Sequence, residues 1–310
     1  MKNTFGYPSM LMLSAAIAVA ASAAHAQVCD TTFTDSVGDQ DWNTPANWDN
    51  GTPDPTDVAC ILEGKIATIQ PPGPDGVCKA LIVKRVGNSR GTVLILSGLS
   101  LIIHGDAIAP VDSVIDGDLN MATNASLKIA RDVTIKGAGG QIIGVHYEPY
   151  PTIESTDGTL RTLTLIGADN KFRSRSLVVG IEGLTMDVKV DNQAYVVASW
   201  GGVLLNEGGL GNGFWIAEDH LGVGIDYGVL RVNKAVTGSG SWLIQGHGEA
   251  EIEINAASTN LSGDFKMTNG VFDVNAGFTT TGDLDVSGAG TVQSTIDIAP
   301  GATATFHATP

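Results

Sequence analysis

The chain has 310 residues, 39 of them glycine, with 16 % charged residues, 6 % aromatics and a formal charge of −16. Charge this sparse excludes the usual helical bundle, and a slightly positive mean hydropathy excludes a disordered chain, which would be poor in Val, Ile and Leu. The acidic balance speaks against nucleic acid as a partner, because phosphate attraction needs a positive face.

In chain order, residues 1–26 read as a signal peptide. Lys2 gives a positive start, 10–21 (MLMLSAAIAVAA) is a short apolar run, and Ala24-His25-Ala26 forms a small-x-small cleavage site before Gln27. The run is shorter than the roughly 20 residues of a membrane-spanning helix. The expectation is a cleaved leader with no integral membrane segment after it. The product is then secreted or held at the cell surface, with the periplasm as the other destination.

Residues 27–90 form a Trp- and Asn-rich opening followed by the first strands. Trp42 and Trp48 are expected to cap the end of a solenoid rather than to stack on sugars, and the Asn and Asp residues around them to form turns. The three cysteines are Cys29, Cys60 and Cys78. Cys60 and Cys78 lie in two strand-like runs joined by PPGPDG, so the expected disulfide is Cys60–Cys78; the alternative leaves both as core thiols. No paired CxxC or neighbouring His supports zinc.

Residues 91–310 change to apolar runs of four to eight residues separated by Gly, Asn and Asp. Leu184, Met186, Val188 and Val190 share one face, with Thr185, Asp187, Lys189 and Asp191 on the other. The run 249–254 (EAEIEI) likewise places Ala250, Ile252 and Ile254 inside. This period of two marks strands with one wet face. Phe272/Val274, Leu284/Val286 and Ile296/Ile298 recur at equal spacing, each pair flanking Asp273, Asp285 or Asp297. Equal spacing suits a coil whose courses stack, or whose half-turns face one another, with all six apolar residues in one core. A meander of hairpins also gives regular strands. Sparse two-residue hairpin signals, Asn269-Gly270 being the best, favour the all-β solenoid.

Several motifs carry a family resemblance. The stretch 42–53 (WNTPANWDNGTP), followed by Asp57, Val58 and Ile61, resembles the opening of many bacterial secreted β-helix proteins. Residues 238–292 are similar to the strand repeat of autotransporter passenger domains. GSGSWL (238–243), GHG (246–248), NLSGD (260–264) and GVFDV (270–274) carry that likeness. The resemblance implies a right-handed parallel β-helix surface protein whose family residues are structural. Autotransporters end in a membrane β-barrel, whereas this sequence stops at FHATP (306–310), so the expectation is a passenger-like repeat without the translocator.

The chemical signals are few. Lys171, Arg173 and Arg175 point the same way in an extended strand. They are the candidate contacts for an acidic glycan, set against an ordinary solvated strand face. His146-Tyr147-Glu148 contains an acid and a base. Asp112, Asp116 and Asp118 crowd one turn with oxygen ligands of the kind calcium takes, but match no EF-hand or β-roll order. The glycines at 238 and 240 lack a phosphate-loop frame, and His104, His220 and His247 have no metal-ligand spacing.

The expected function is therefore a non-catalytic extracellular or cell-surface β-helix with a structural, adhesive or glycan-binding role. Its partners would be a glycan or a surface protein, with no cofactor. The alternative is a polysaccharide lyase of pectate-lyase-like fold acting on acidic polysaccharide, with calcium. The same scaffold carries both. A groove in which Lys or Arg lies beside acids from neighbouring courses would favour the lyase.

Overall fold

The computed structural model describes residues 28–108, 111–137, 140–145, 150–175, 182–199, 201–218, 228–246, 250–256, 259–287, 295–298 and 303–306. The signal-peptide call lies outside them. The chain coils through three walls of parallel strands, a β-solenoid. The first wall begins with Thr31–Phe33, Val58–Ile61 and Ala80–Val83 and reaches Thr303–Phe306. The second runs from Ile66–Ile69 to Leu284–Ser287. The third is a ten-stranded ladder from Gly76–Cys78 to Thr295–Ile298. Two long strands, Thr162–Arg175 and Lys189–Ser199, pass through the corner between the first two walls and pair within both. An antiparallel hairpin, Arg85–Val86 with Ser89–Arg90, is inserted at that same corner.

Alternation builds the interior. On the third wall Val203, Leu230, Ile252, Phe272 and Ile296 fall in one register column, and Leu205, Val232, Ile254, Val274 and Ile298 in the next. From Val203 to Phe272 and from Leu205 to Val274 these side chains are buried in one core cluster that extends from Phe33 to Phe278. Each interior position thus contacts its own kind above and below, which is how a solenoid buries a continuous apolar column. Leu184, Met186, Val188 and Val190 are all fully buried, with Asp187 and Lys189 exposed. That run turns a corner, since Met186 ends a third-wall strand and Lys189 opens a first-wall strand.

The equal spacing of the C-terminal pairs is a half-turn. Phe272 and Val274 register with Ile296 and Ile298 on the third wall, while Leu284 and Val286 register with Phe265 and Met267 on the second. The expectation of six interior residues is corrected. Leu284, Val286 and Ile296 are 38 %, 42 % and 36 % exposed, because no described strand stacks beyond theirs. Asp285 sits apart from Asp273, paired with Lys266 at 3.4 Å.

The disulfide is also corrected: Cys29 bonds Cys60, with Cα atoms 5.7 Å apart, and Cys78 is a free buried thiol. The pleat explains the choice. On Val58–Ile61, Ala59 and Ile61 enter the main core, whereas Val58 and Cys60 pack on the outer side with Ala80 and Ile82. Cys29 packs against that outer cluster, while Cys78 belongs to the main core on the other side of the wall. Burial pushes the Cys78 thiol well above its ordinary range, so it is a core residue rather than a nucleophile.

One corner is built from glycine. Between the first and second walls Gly213, Gly240, Gly263 and Gly282 stack course upon course. A Cβ on Gly240 would lie 2.3 Å from the Gly213 carbonyl oxygen, and one on Gly263 would lie 2.4 Å from that of Gly240. The third-to-first corner is marked instead by side-chain amides. Asn275 donates to Asn255 (3.1 Å), Asn255 to Asn233 (3.1 Å), Asn233 to Asn206 (2.9 Å) and Asn206 to Asp187 (2.6 Å).

Candidate functional site

Trp42 and Trp48 are interior, not a sugar platform. Their rings meet edge-on at 4.8 Å, Phe33 packs on Trp48 at 5.1 Å, and the Trp48 indole donates to the Trp42 carbonyl at 2.7 Å. Asn47 is buried beside them as a turn former: its amide donates to the Asp39 carboxylate and the Asp41 carbonyl, and its side-chain oxygen accepts from Val37 N–H.

Lys171, Arg173 and Arg175 occupy the second-wall half of Thr162–Arg175, registered with Gln141, Ile143 and Val145. On their other side, Lys171 and Arg173 register with Tyr195 and Val197. Their side chains lie outside the described residues, as do His146, Tyr147, Glu148, His220 and His247. The acidic turn does not converge: Asp112 pairs with Lys136, and Asp118, on the second wall, pairs with Arg90 at 2.7 Å. Among the described residues no group of three or more His, Cys, Asp or Glu is arranged to hold a metal. Burial, reinforced by the charge of Arg131, lowers the His104 pKa below the ordinary imidazole range.

Among the described residues, concave surface lies elsewhere, at the corner from third to first wall. The turn after Ile103 is long (104–112), the one after Ile129 is short (130–132), the one after Ser155 is longer again (156–161), and those at 187–188, 206–208 and 233–235 are short. Long turns standing beside short ones leave clefts between them. The first cleft, about 410 Å³, is lined by Gly105, Asp106, Ala107, Val111 and Asp112 with Arg131, Asp132, Thr134 and Arg161. The second, about 290 Å³, lies between the 154–160 segment, Asp187 and Glu207. The third, about 450 Å³, spreads over the first wall from Thr162 and Lys189 to Leu210 and Thr237, again touching Glu207. Insertions that fall on one face of a solenoid often mark its binding face.

Most charges in these clefts are already engaged. Lys136 pairs with Asp112, Lys128 with Glu154 at 3.6 Å, Lys234 with Glu207, and Arg161 with Asp157 at 2.8 Å. Asp132 accepts from Thr162 N–H at 2.7 Å, and Arg131 donates to the His104 carbonyl at 3.2 Å. A second polar surface lies outside the clefts on the third wall. There Arg231 pairs with Glu253, and half-buried Glu251 has its pKa raised by burial and by the charges of Glu253 and Asp273.

Sequence reading missed both the clefts and the amide ladder. The ladder had a signal: an asparagine follows the apolar run at LLN (204–206), RVN (231–233), EIN (253–255) and DVN (273–275). The clefts had only unequal turn lengths, which mean nothing until the walls are aligned. Comparison with protein-family models, curated proteins and solved structures returns no match, so function has to be read from this geometry.

Proposed function

We propose that the protein is a non-catalytic extracellular or cell-surface β-solenoid with a structural, adhesive or glycan-binding role. The observation that carries this reading is the unbroken parallel register of the third wall from Val203 to Ile296, with one column of interior side chains from Val203 to Phe272. Such stacking makes a stiff rod whose outer faces repeat along its length, suited to multiple contacts with a polymer or surface. The Cys29–Cys60 bond suits an oxidising compartment. In this reading the segment around Trp42 and Trp48 closes the N-terminal end of the rod.

One observation favours the second reading, a polysaccharide lyase. Arg131 and Arg161 share a cleft with Asp106, Asp112 and Asp132, drawn from neighbouring courses. Incubation with pectate or alginate plus calcium, followed by absorbance of unsaturated products, separates the two. The non-catalytic reading expects no rise above the blank. A sustained rise abolished by Arg131→Ala would establish the lyase instead. Fractionation should find the mature chain, beginning at Gln27, outside the cytoplasm; a cytoplasmic pool retaining Met1 would reject the surface role.

A further inference from the structure

The three clefts adjoin along the third-to-first corner, and we take them together as one groove. Glu207 lines the second and third, and the consecutive residues Leu160, Arg161 and Thr162 line the second, first and third in turn. The groove crosses six successive first-wall strands, from Ser113–Ile115 to Val236–Gly238. At about 4.8 Å between neighbouring strands it extends about 24 Å along the rod. A feature of that length suits a linear polymer better than a small molecule.

We propose that this groove binds a linear neutral polysaccharide, an inference that rests on the non-catalytic binding role and gives it a site. Three features select the ligand. Lysines neutralise three of the groove's carboxylates, Lys136 on Asp112, Lys128 on Glu154 and Lys234 on Glu207, and Arg131, Arg161 and Lys189 line it beside the other acids, so charge of both signs is interspersed. Neither a polyanion nor a polycation is therefore strongly attracted, although the whole chain is acidic. Paired guanidinium, ammonium and carboxylate groups also place donors beside acceptors, the pattern that vicinal sugar hydroxyls satisfy from both sides. Finally, Leu160 and Leu210 stand about half exposed in the second and third clefts, offering apolar contact to the C–H faces of a sugar ring.

A peptide fits less well. Extended peptides bind by adding a strand to an open sheet edge. The first-wall strands under the groove are hydrogen-bonded on both sides, for example 162–166 to Val133–Lys136 and to Lys189–Ser199.

The test is calorimetric titration of the mature protein with neutral cello-, xylo- and manno-oligosaccharides, at low and high salt, alongside oligogalacturonate and oligolysine. Binding of a neutral oligosaccharide that is insensitive to salt is expected. Arg131→Ala combined with Leu160→Ala should weaken it about tenfold or more, and Leu210→Ala should weaken it in part. Lys266→Ala on the second wall should leave it unchanged. All of these side chains are at least partly exposed, so matched urea midpoints will confirm that the variants fold. No binding by any neutral oligosaccharide overturns the inference, as does salt-sensitive binding of oligogalacturonate or oligolysine alone, or neutral-glycan binding untouched by the groove variants. Those results leave the surface-protein reading standing. Cleavage products in the same mixtures would instead remove the non-catalytic reading while keeping the groove.

Discussion

Glu251 shows how stacking in register turns one charge into a stability term. Its carboxyl is half-buried on the third wall, and Glu253 and Asp273 face it from its own and the next course, with only Arg231 opposing them. The folded state therefore holds the Glu251 proton more tightly than the unfolded chain does. For a carboxyl raised in this way, the contribution is present at low pH and is lost as pH rises from the unfolded value of 4.5 through the raised folded one. Glu251→Gln removes the like-charge contact, so its urea midpoint should exceed that of the parent by a margin that grows between pH 4 and pH 7. A margin that stays constant with pH would show that Glu251 carries no such penalty. At this scale the alternation of single residues was legible in the sequence, but partners across courses were not. Cys60 was visible as a strand residue. Which side of the wall it faced depended on the register of Val58–Ile61 against Ala80–Val83.

Strands and corners obey different rules, and two substitutions separate them. Val188 is fully buried at the bend from third to first wall, and Lys189 beside it is exposed. Val188→Asp should cost several kcal/mol by burying an unpaired charge, whereas Lys189→Asp should be nearly neutral. Equal shifts of their urea midpoints would reject this register. At the glycine corner, a Cβ on Gly240 meets the Gly213 carbonyl oxygen and also lies 2.6 Å from that of Gly211. Backbone on that side cannot swing away as a flexible side chain would, so Gly240→Ala should destabilise by about 1–3 kcal/mol. Gly87, with open space around it in the inserted hairpin, is the control, although its φ of +58° adds some strain of its own. Matching losses at both positions would mean that backbone conformation, not stacking, sets the cost. Strand runs were readable because period-two alternation is local. The glycine stack was not, since Gly213, Gly240, Gly263 and Gly282 recur at unequal intervals and align only when courses of different length are superimposed.

At the scale of the whole molecule, a course takes from 19 residues, as between Val190 and Gly209, to 33, as between Thr152 and Thr185. This variation hid the true period behind the regular half-turns near the C-terminus. The extra residues after Ile103 and after Ser155 flank the groove, while others lie elsewhere, as in the Arg85–Arg90 hairpin at the first-to-second corner. The rod and its clefts thus have one cause: constant wall register combined with variable turns. The claim that sequence separation is irrelevant to distance along the rod can be tested directly. Spin labels at Lys128, Asn233 and Asn275 would sit in one outer column of the third wall and its corner, four and six courses apart. At about 4.8 Å per course, the Lys128–Asn233 and Lys128–Asn275 distances should be about 19 Å and 29 Å, adding only the labels' own reach. A Lys128–Asn275 distance equal to or shorter than Lys128–Asn233 would mean that the chain folds back in antiparallel hairpins, and the parallel solenoid would be wrong.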